Sequence, residues 1–287
     1  MVEDTCSLPT ELERHIFELA AVSRPVSIPH MMRVAWRVKQ WVEPLLVRTL
    51  VFGCDSIDGL PVCDVETITH LAQHRDSILD SVCNVIAFLI PPAALNTIIQ
   101  ACPRIENLFM LPTGVLPDNG LAAFDDLPLK HIHASPYHIL DLTSTMTILR
   151  PPFFRITHLE LCAELDREDD TDDEALARWM TLASLPKLSH LALNCNMDMH
   201  VYVHLLAACK ALHALILLRN PPRRRPAEMD ILIENPRFVM MPVEHYTADW
   251  QRGVLLGNDF WARADILIAK RISGEVDRRT FLLEDTS

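Results

Sequence analysis

Three histidines stand one residue before an apolar position along this chain, in Lys130-His131-Ile132, Thr157-His158-Leu159 and Ser189-His190-Leu191. Two positions after the first two of them come His133 and Glu160. Imidazoles that recur at one repeat position line up when the repeats stack, and such a column can bind a transition metal or titrate as a unit near neutral pH; the plainer alternative is that Thr-His-Leu and Ser-His-Leu are ordinary polar fillers at exposed strand positions. His200 and His204 form a second metal-like pair, one helical turn apart, but no Glu stands between them in the His-Glu-x-x-His order of a zinc protease. Other catalytic signatures are missing: seven glycines supply no phosphate-cradling loop, no Gly-x-Ser-x-Gly elbow and no kinase set. The eight cysteines include no Cys-x-x-Cys pair, which removes the commonest zinc and redox spacings and leaves them as small packing residues. The acidic run from Asp166 to Glu174 lacks the glycine and spaced ligands of a calcium loop; it reads as a solvated loop that puts negative charge at the next helix N-terminus. On these grounds the chain is expected to be no enzyme and to carry no cofactor and no metal.

The elements that must position these residues follow a repeat. An apolar-x-x-apolar-x-apolar phrase begins at Val82, Ile105, Leu129, Ile156, Leu188 and Leu212, with starts 23, 24, 27, 32 and 24 residues apart. That spacing is close to the period of leucine-rich repeats, and the acidic insertion accounts for the longest interval. Helical stretches over Ala93–Ala101, Ala175–Ala183 and Val201–Ala208 lie between the phrases. One strand and one helix cannot close a core, so neighbours must stack and the strands must form a parallel sheet. Leu50-Val51-Phe52 begins the same sheet and Pro236 to Met241 ends it. The expected fold is α/β: a leucine-rich-repeat-like solenoid with a parallel sheet, preceded by a short helical module. Its parts are residues 1–50, the repeat region 51–235, and residues 236–287 with a final strand and a capping helix from Asp259 to Ile272.

Side chains alternate across a strand, so the sheet has two assignable faces. Leu108, Ile132, Leu159, Leu191 and Leu215 are expected in one continuous core. Asn107, Phe109, His131, His133, His158, Glu160 and His190 point the other way, to a concave face where they are expected to be exposed and to meet a protein target. Three exposed imidazoles would gain charge, and hold an acidic target more tightly, as pH falls through about 6.5.

The N-terminal part carries Leu8-Pro9-x-Glu11-Leu12-x-x-x-Ile16-Phe17-x-Leu19, then Ile28-Pro29, then Trp41-Val42-Glu43-Pro44-Leu45-Leu46. Ser7 is a cap for a first helix with Pro9 in its first turn. Leu8, Leu12, Ile16 and Leu19 share one face, which Phe17 and Ala20 widen. A second segment from about Pro29 to Val38 places Met31, Val34, Ala35 and Val38 together, and Pro44 stands near the start of a third. The order and spacing resemble an F-box, in the looser form of fungal F-box-like proteins with a Trp-[Val/Ile]-Glu-Pro-Leu-Leu ending. The phrase Asp259-Phe260-Trp261-Ala262-Arg263-Ala264, followed by Lys270-Arg271-Ile272-Ser273-Gly274-Glu275, resembles the tail of the same proteins. The resemblance implies a substrate-recognition subunit of a Skp/cullin/F-box type ubiquitin ligase. Leu8, Pro9, Leu12, Ile16, Phe17 and Trp41 would dock on the Skp-type adaptor, and the concave face or the C-terminal cap would hold an unknown protein target. The alternative is a scaffold or binding protein of the same fold that does not dock, with residues 8 to 50 as a helical cap.

Charge and hydropathy bound the partners further. A formal charge of -12 opposes nucleic acid, whose phosphates need a basic stripe; the lone basic run, Arg223-Arg224-Arg225, sits among prolines as a solvated loop. The apolar stretch from Val85 to Leu95 contains Pro91-Pro92 and is far short of the roughly 20 residues of a membrane helix. Met1-Val2-Glu3-Asp4 is acidic where a secretory signal is basic. A cytoplasmic or nuclear protein with reduced thiols and no membrane partner is expected.

Overall fold

The computed structural model of the protein describes residues 8–56, 60, 62–74, 77–114, 120–136, 151–162, 172–195, 197–222 and 227–283. Ser7, the acidic run from Asp166 to Thr171, and Arg223 to Arg225 lie outside the described residues. The fold is α/β, built on one eight-stranded, all-parallel sheet whose strands stand in chain order: β1 (Thr49–Phe52), β2 (Asn84–Phe88), β3 (Asn107–Leu111), β4 (His131–Ala134), β5 (His158–Leu161), β6 (His190–Leu193), β7 (Ala214–Leu217) and β8 (Phe238–Met240). Each of the six apolar phrases contains one strand. Leu50-Val51-Phe52 and the Pro236–Met241 stretch supply the first and last, as expected.

Helices lie on both sides of the sheet. Those between strands are α4 (Val65–Gln73), α5 (Pro92–Ala101), α6 (Asp172–Met180), α7 (Met199–Ala208) and α8 (Ala227–Glu234). They close the main core with Leu50, Val85, Leu108, Ile132, Leu159, Leu191, Leu215 and Phe238, all nearly inaccessible to solvent. Helix α4 starts where Asp64 caps it, its Oδ1 accepting the Thr67 backbone N–H at 2.6 Å. Asp64→Ala is expected to lower the melting temperature by about 2–4 °C, and Asp64→Asn to restore it, because Asn caps as well as Asp; a calorimetric scan of both variants checks this.

The N-terminal helices are α1 (Thr10–Ser23), α2 (Ile28–Met31) and α3 (Trp36–Leu46). They form a small separate core of Ala21, Ile28, Val38 and Val42, edged by Phe17, Met31, Ala35 and Trp41. Pro44 lies inside α3 rather than near the start of another helix. Val34 is 64 % exposed and does not join Val38. The segment is broken between α2 and α3, so the helical phase that would align the two residues is lost.

The C-terminal part departs from the expected end cap. Helices α9 (Tyr246–Leu256) and α10 (Phe260–Ser273) turn back over the sheet on the side opposite the main core. Residues of α9 pack with Val51, Ile86 and Phe109; residues of α10 pack with Ala192, Ala214, Ile216 and Val239. The strands are therefore buried on both faces. No described helix is long and apolar enough to cross a membrane.

Candidate functional site

Strand register assembles one polar row down the face beneath α9 and α10. Thr49, Asn84, Asn107, His131, His158 and His190 are paired in turn across β1 to β6. At its start the row is an amide ladder: Asn84 Nδ2 donates to Thr49 Oγ1 at 3.0 Å, and Asn107 Nδ2 to Asn84 Oδ1 at 2.5 Å. The histidines then stack, with ring centroids 4.0 Å apart for His131 and His158 and 4.1 Å for His158 and His190. The residue before each of the last two histidines orients the ring. Thr157 Oγ1 lies 2.9 Å from His158 Nδ1, and Ser189 Oγ lies 2.8 Å from His190 Nδ1. Both hydroxyls also reach a carbonyl on the preceding strand, Lys130 O at 3.3 Å and Thr157 O at 3.1 Å. The Thr-His-Leu and Ser-His-Leu phrases thus lock two imidazoles against rotation.

A second row runs beside it. His133 stacks flat on Phe109, centroids 3.7 Å apart, and its Nδ1 contacts Glu160 Oε2. His133 and Glu160 are 4 % and 3 % exposed, and Glu160 Oε1 makes no hydrogen bond among the described residues. From above, Trp250, Gly253, Asp259 and Trp261 close on His131, His133, His158 and Glu160 around a cavity of about 90 Å³. Trp261 sets its edge to the rings of His158 and His190. Gly253 makes room here, since a Cβ at that position would overlap the Asp259 carboxylate. The two covering helices are joined by Asp249, which takes the Phe260 N–H at 2.9 Å and pairs with Arg263 at 2.8 Å.

The exposed concave face expected from the sequence is corrected by this geometry. Phe109, His133, Glu160 and His190 are buried, and Asn107, His131 and His158 are half-buried. Alternation had put all seven on the right face, but that face is roofed. The same cover changes the proton chemistry. Burial, with repulsion from His190 and Lys130, lowers the His131 pKa to about 4. Burial and the two neighbouring imidazoles lower His158 to about 2. His190 is also lowered by burial, against the pull of Asp265. His131 and His158 therefore stay neutral at pH 6.5, and the gain of charge expected of them there does not occur.

Two residues that could hold a metal beside His190 carry no sequence motif of their own. Asp265 on α10 places Oδ1 3.0 Å from His190 Nε2, and His213, just before β7, places Nε2 3.5 Å from the same oxygen. The available signal was an acid four residues after Trp261, at the edge of an apolar helix stripe. His200 and His204 keep ring centroids 6.2 Å apart on α7, away from this cluster.

In the N-terminal helices the expected docking residues divide. Leu8, Leu12 and Ile16 are 56 %, 52 % and 52 % exposed, and Pro9 is exposed too. Phe17 and Trp41 instead turn inward to the small core. Leu19 and Val22 extend the outward stripe. Comparison with protein-family models finds no match, and a search of curated proteins finds no significant relative.

Proposed function

We propose that the chain is a protein-interaction protein, the substrate-recognition subunit of a Skp/cullin/F-box type ubiquitin ligase, with helices α1 to α3 as the adaptor-docking module of a leucine-rich-repeat-like solenoid. One observation carries this reading. Eight of the sixteen exposed large apolar residues among the described residues lie between Leu8 and Trp36, in about a tenth of the sequence. The inward side of that module is already filled by Phe17, Ala21, Ile28, Val38 and Trp41. A stripe of Leu8, Leu12, Ile16 and Leu19 facing water is apolar surface that a partner would cover. Its helical spacing suits a groove or helix pair on that partner.

With α9 and α10 over the sheet, the concave face is not the target surface in this reading. That role passes to the outward side of the C-terminal helices, where Ile266 and Ile272 are exposed. Co-purification with a Skp-type adaptor is the test. The wild-type chain is expected to bring the adaptor through size-exclusion chromatography as one complex, and Leu12→Asp with Ile16→Asp to lose it while keeping an unchanged circular dichroism spectrum. A folded wild-type chain that elutes without the adaptor removes this reading and leaves a scaffold protein.

A further inference from the structure

We propose that His190, His213 and Asp265 form a binding site for one divalent transition-metal ion of the zinc class, clamping helix α10 to the sheet. This inference does not rest on adaptor docking. The three donor atoms all lie within 4.8 Å of one another, with two of the separations at 3.0 and 3.5 Å. A tetrahedral zinc ion with bonds of about 2.0–2.2 Å needs its donors roughly 3.3 Å apart, so small side-chain movements complete the set.

The three ligands come from different elements, β6, the turn before β7, and α10. Their meeting is a product of the fold and not of local sequence. His190 is held from every side: His158 stacks on it with planes 5° apart, and Trp261 meets it edge-on. Ser189 supplies the outer support. In the tautomer that puts the Ser189 hydrogen on the Thr157 carbonyl, Ser189 accepts the His190 Nδ1–H and Nε2 turns a lone pair to Asp265. That is the arrangement of a ligating imidazole, whose second nitrogen is tied to an outer partner. In that tautomer two acceptors face each other at 3.0 Å, a gap that a bridging cation fills as well as a proton does.

Two imidazoles and one carboxylate are borderline donors that favour zinc, copper or nickel over magnesium or calcium. The side chains of His213 and Asp265 are 51 % and 43 % exposed, so an ion has a way in and water can fill the remaining position. The sequence reading expected no metal on the histidine column. Asp265 adds an anion at the column's end and alters that expectation.

The experiment uses the full chain, purified without a tag, stripped with a chelator and titrated with zinc by calorimetry. One site per chain is expected, weakened at least tenfold by His213→Ala and by Asp265→Asn. Zinc is also expected to raise the melting temperature of the wild type and not of His213→Ala. The histidine pairs His70 with His74 and His200 with His204 are the competing surface sites. His74→Ala and His204→Ala should leave the binding unchanged. Absence of zinc binding overturns the proposal, as does a loss of less than tenfold in either ligand variant or loss of the site in His74→Ala or His204→Ala. All four substitutions fall on side chains at the surface or its edge, and circular dichroism of each variant verifies that it is folded.

Discussion

Replacing Arg271 with Met is expected to destabilise the protein by about 3–5 kcal/mol, as one of the largest single-residue effects in the chain. Arg271 stands in the last turn of α10 and is 1 % exposed. Its guanidinium donates to four backbone carbonyls: Nε to Arg278 at 2.7 Å, Nη1 to Pro236 at 3.1 Å and Phe238 at 2.7 Å, and Nη2 to Ile233 at 2.5 Å. Ile233 lies in the last turn of α8, where carbonyl groups lack helical partners and the helix dipole is negative. One planar cation thus ties together α8, the approach to β8, β8 itself and the segment after α10. Met fills a similar volume but removes the donors from these oxygens, of which those of Phe238 and Ile233 accept buried hydrogen bonds. Lys retains the charge on a single nitrogen and should recover part of the loss. Urea unfolding of Arg271→Met, Arg271→Lys and Lys270→Met provides the comparison. Lys270 is half-exposed and pairs at the surface with Glu275, so its replacement should change stability by less than about 1 kcal/mol. Equal losses in Arg271→Met and Lys270→Met would show that the buried network contributes nothing particular.

Acid provides the second large effect. In the unfolded chain His131 and His158 titrate near 6.5, whereas burial lowers them in the native state to about 4 and about 2. The unfolded state therefore binds more protons at every pH between those values, and stability falls as pH falls. The neutral column contributes fully above pH 6.5, and its contribution declines through the range from 6.5 toward 4. Each histidine costs up to about 1.4 kcal/mol per pH unit in that range. Allowing for their partial exposure, the two together should remove about 2–4 kcal/mol between pH 7 and pH 5. Unfolding curves at several pH values, with chelator present to exclude bound metal, measure this slope. His158→Gln should flatten it, because an amide does not take up a proton in the unfolded chain. A wild type equally stable at pH 7 and pH 5 would mean that the imidazoles are hydrated and free to charge.

Much of the fold was legible because the relevant signals are local. A strand buried on its helix side repeats the apolar-x-x-apolar-x-apolar phrase, and spacing between phrases leaves room for one helix. Parallel pairing in chain order follows from those two facts. Alternation also assigned every side chain in the polar row to its correct face. A hint that this face is covered was present as well. The positions that continue the row on β6, β7 and β8 are Ala192, Ala214, Ile216 and Val239, which are apolar where an open surface would be polar. The candidate site was legible only as a column. Its roof of Trp250 and Trp261 and its third ligand Asp265 lie far along the chain from the histidines they meet, His190 and Asp265 being 75 positions apart.

The N-terminal helices show the same boundary. Three-and-four spacing correctly grouped Leu8, Leu12, Ile16 and Leu19, but a period specifies only which residues share a side of a helix. Phe17 and Ala21, on another side of α1, turned out to face the small core, and the grouped stripe faces out. By itself the amino-acid sequence determined the strands, their parallel order, the main core and the two faces of the sheet, because periodicity and repeat length are properties of neighbouring residues. The tertiary structure alone decided that the C-terminal helices fold back over the histidine column, that Arg271 binds four carbonyls, and that the first helix leaves its leucines in water. Each of these depends on which distant surface buries which apolar face, and that choice is made by the summed packing of the whole chain rather than by any local pattern.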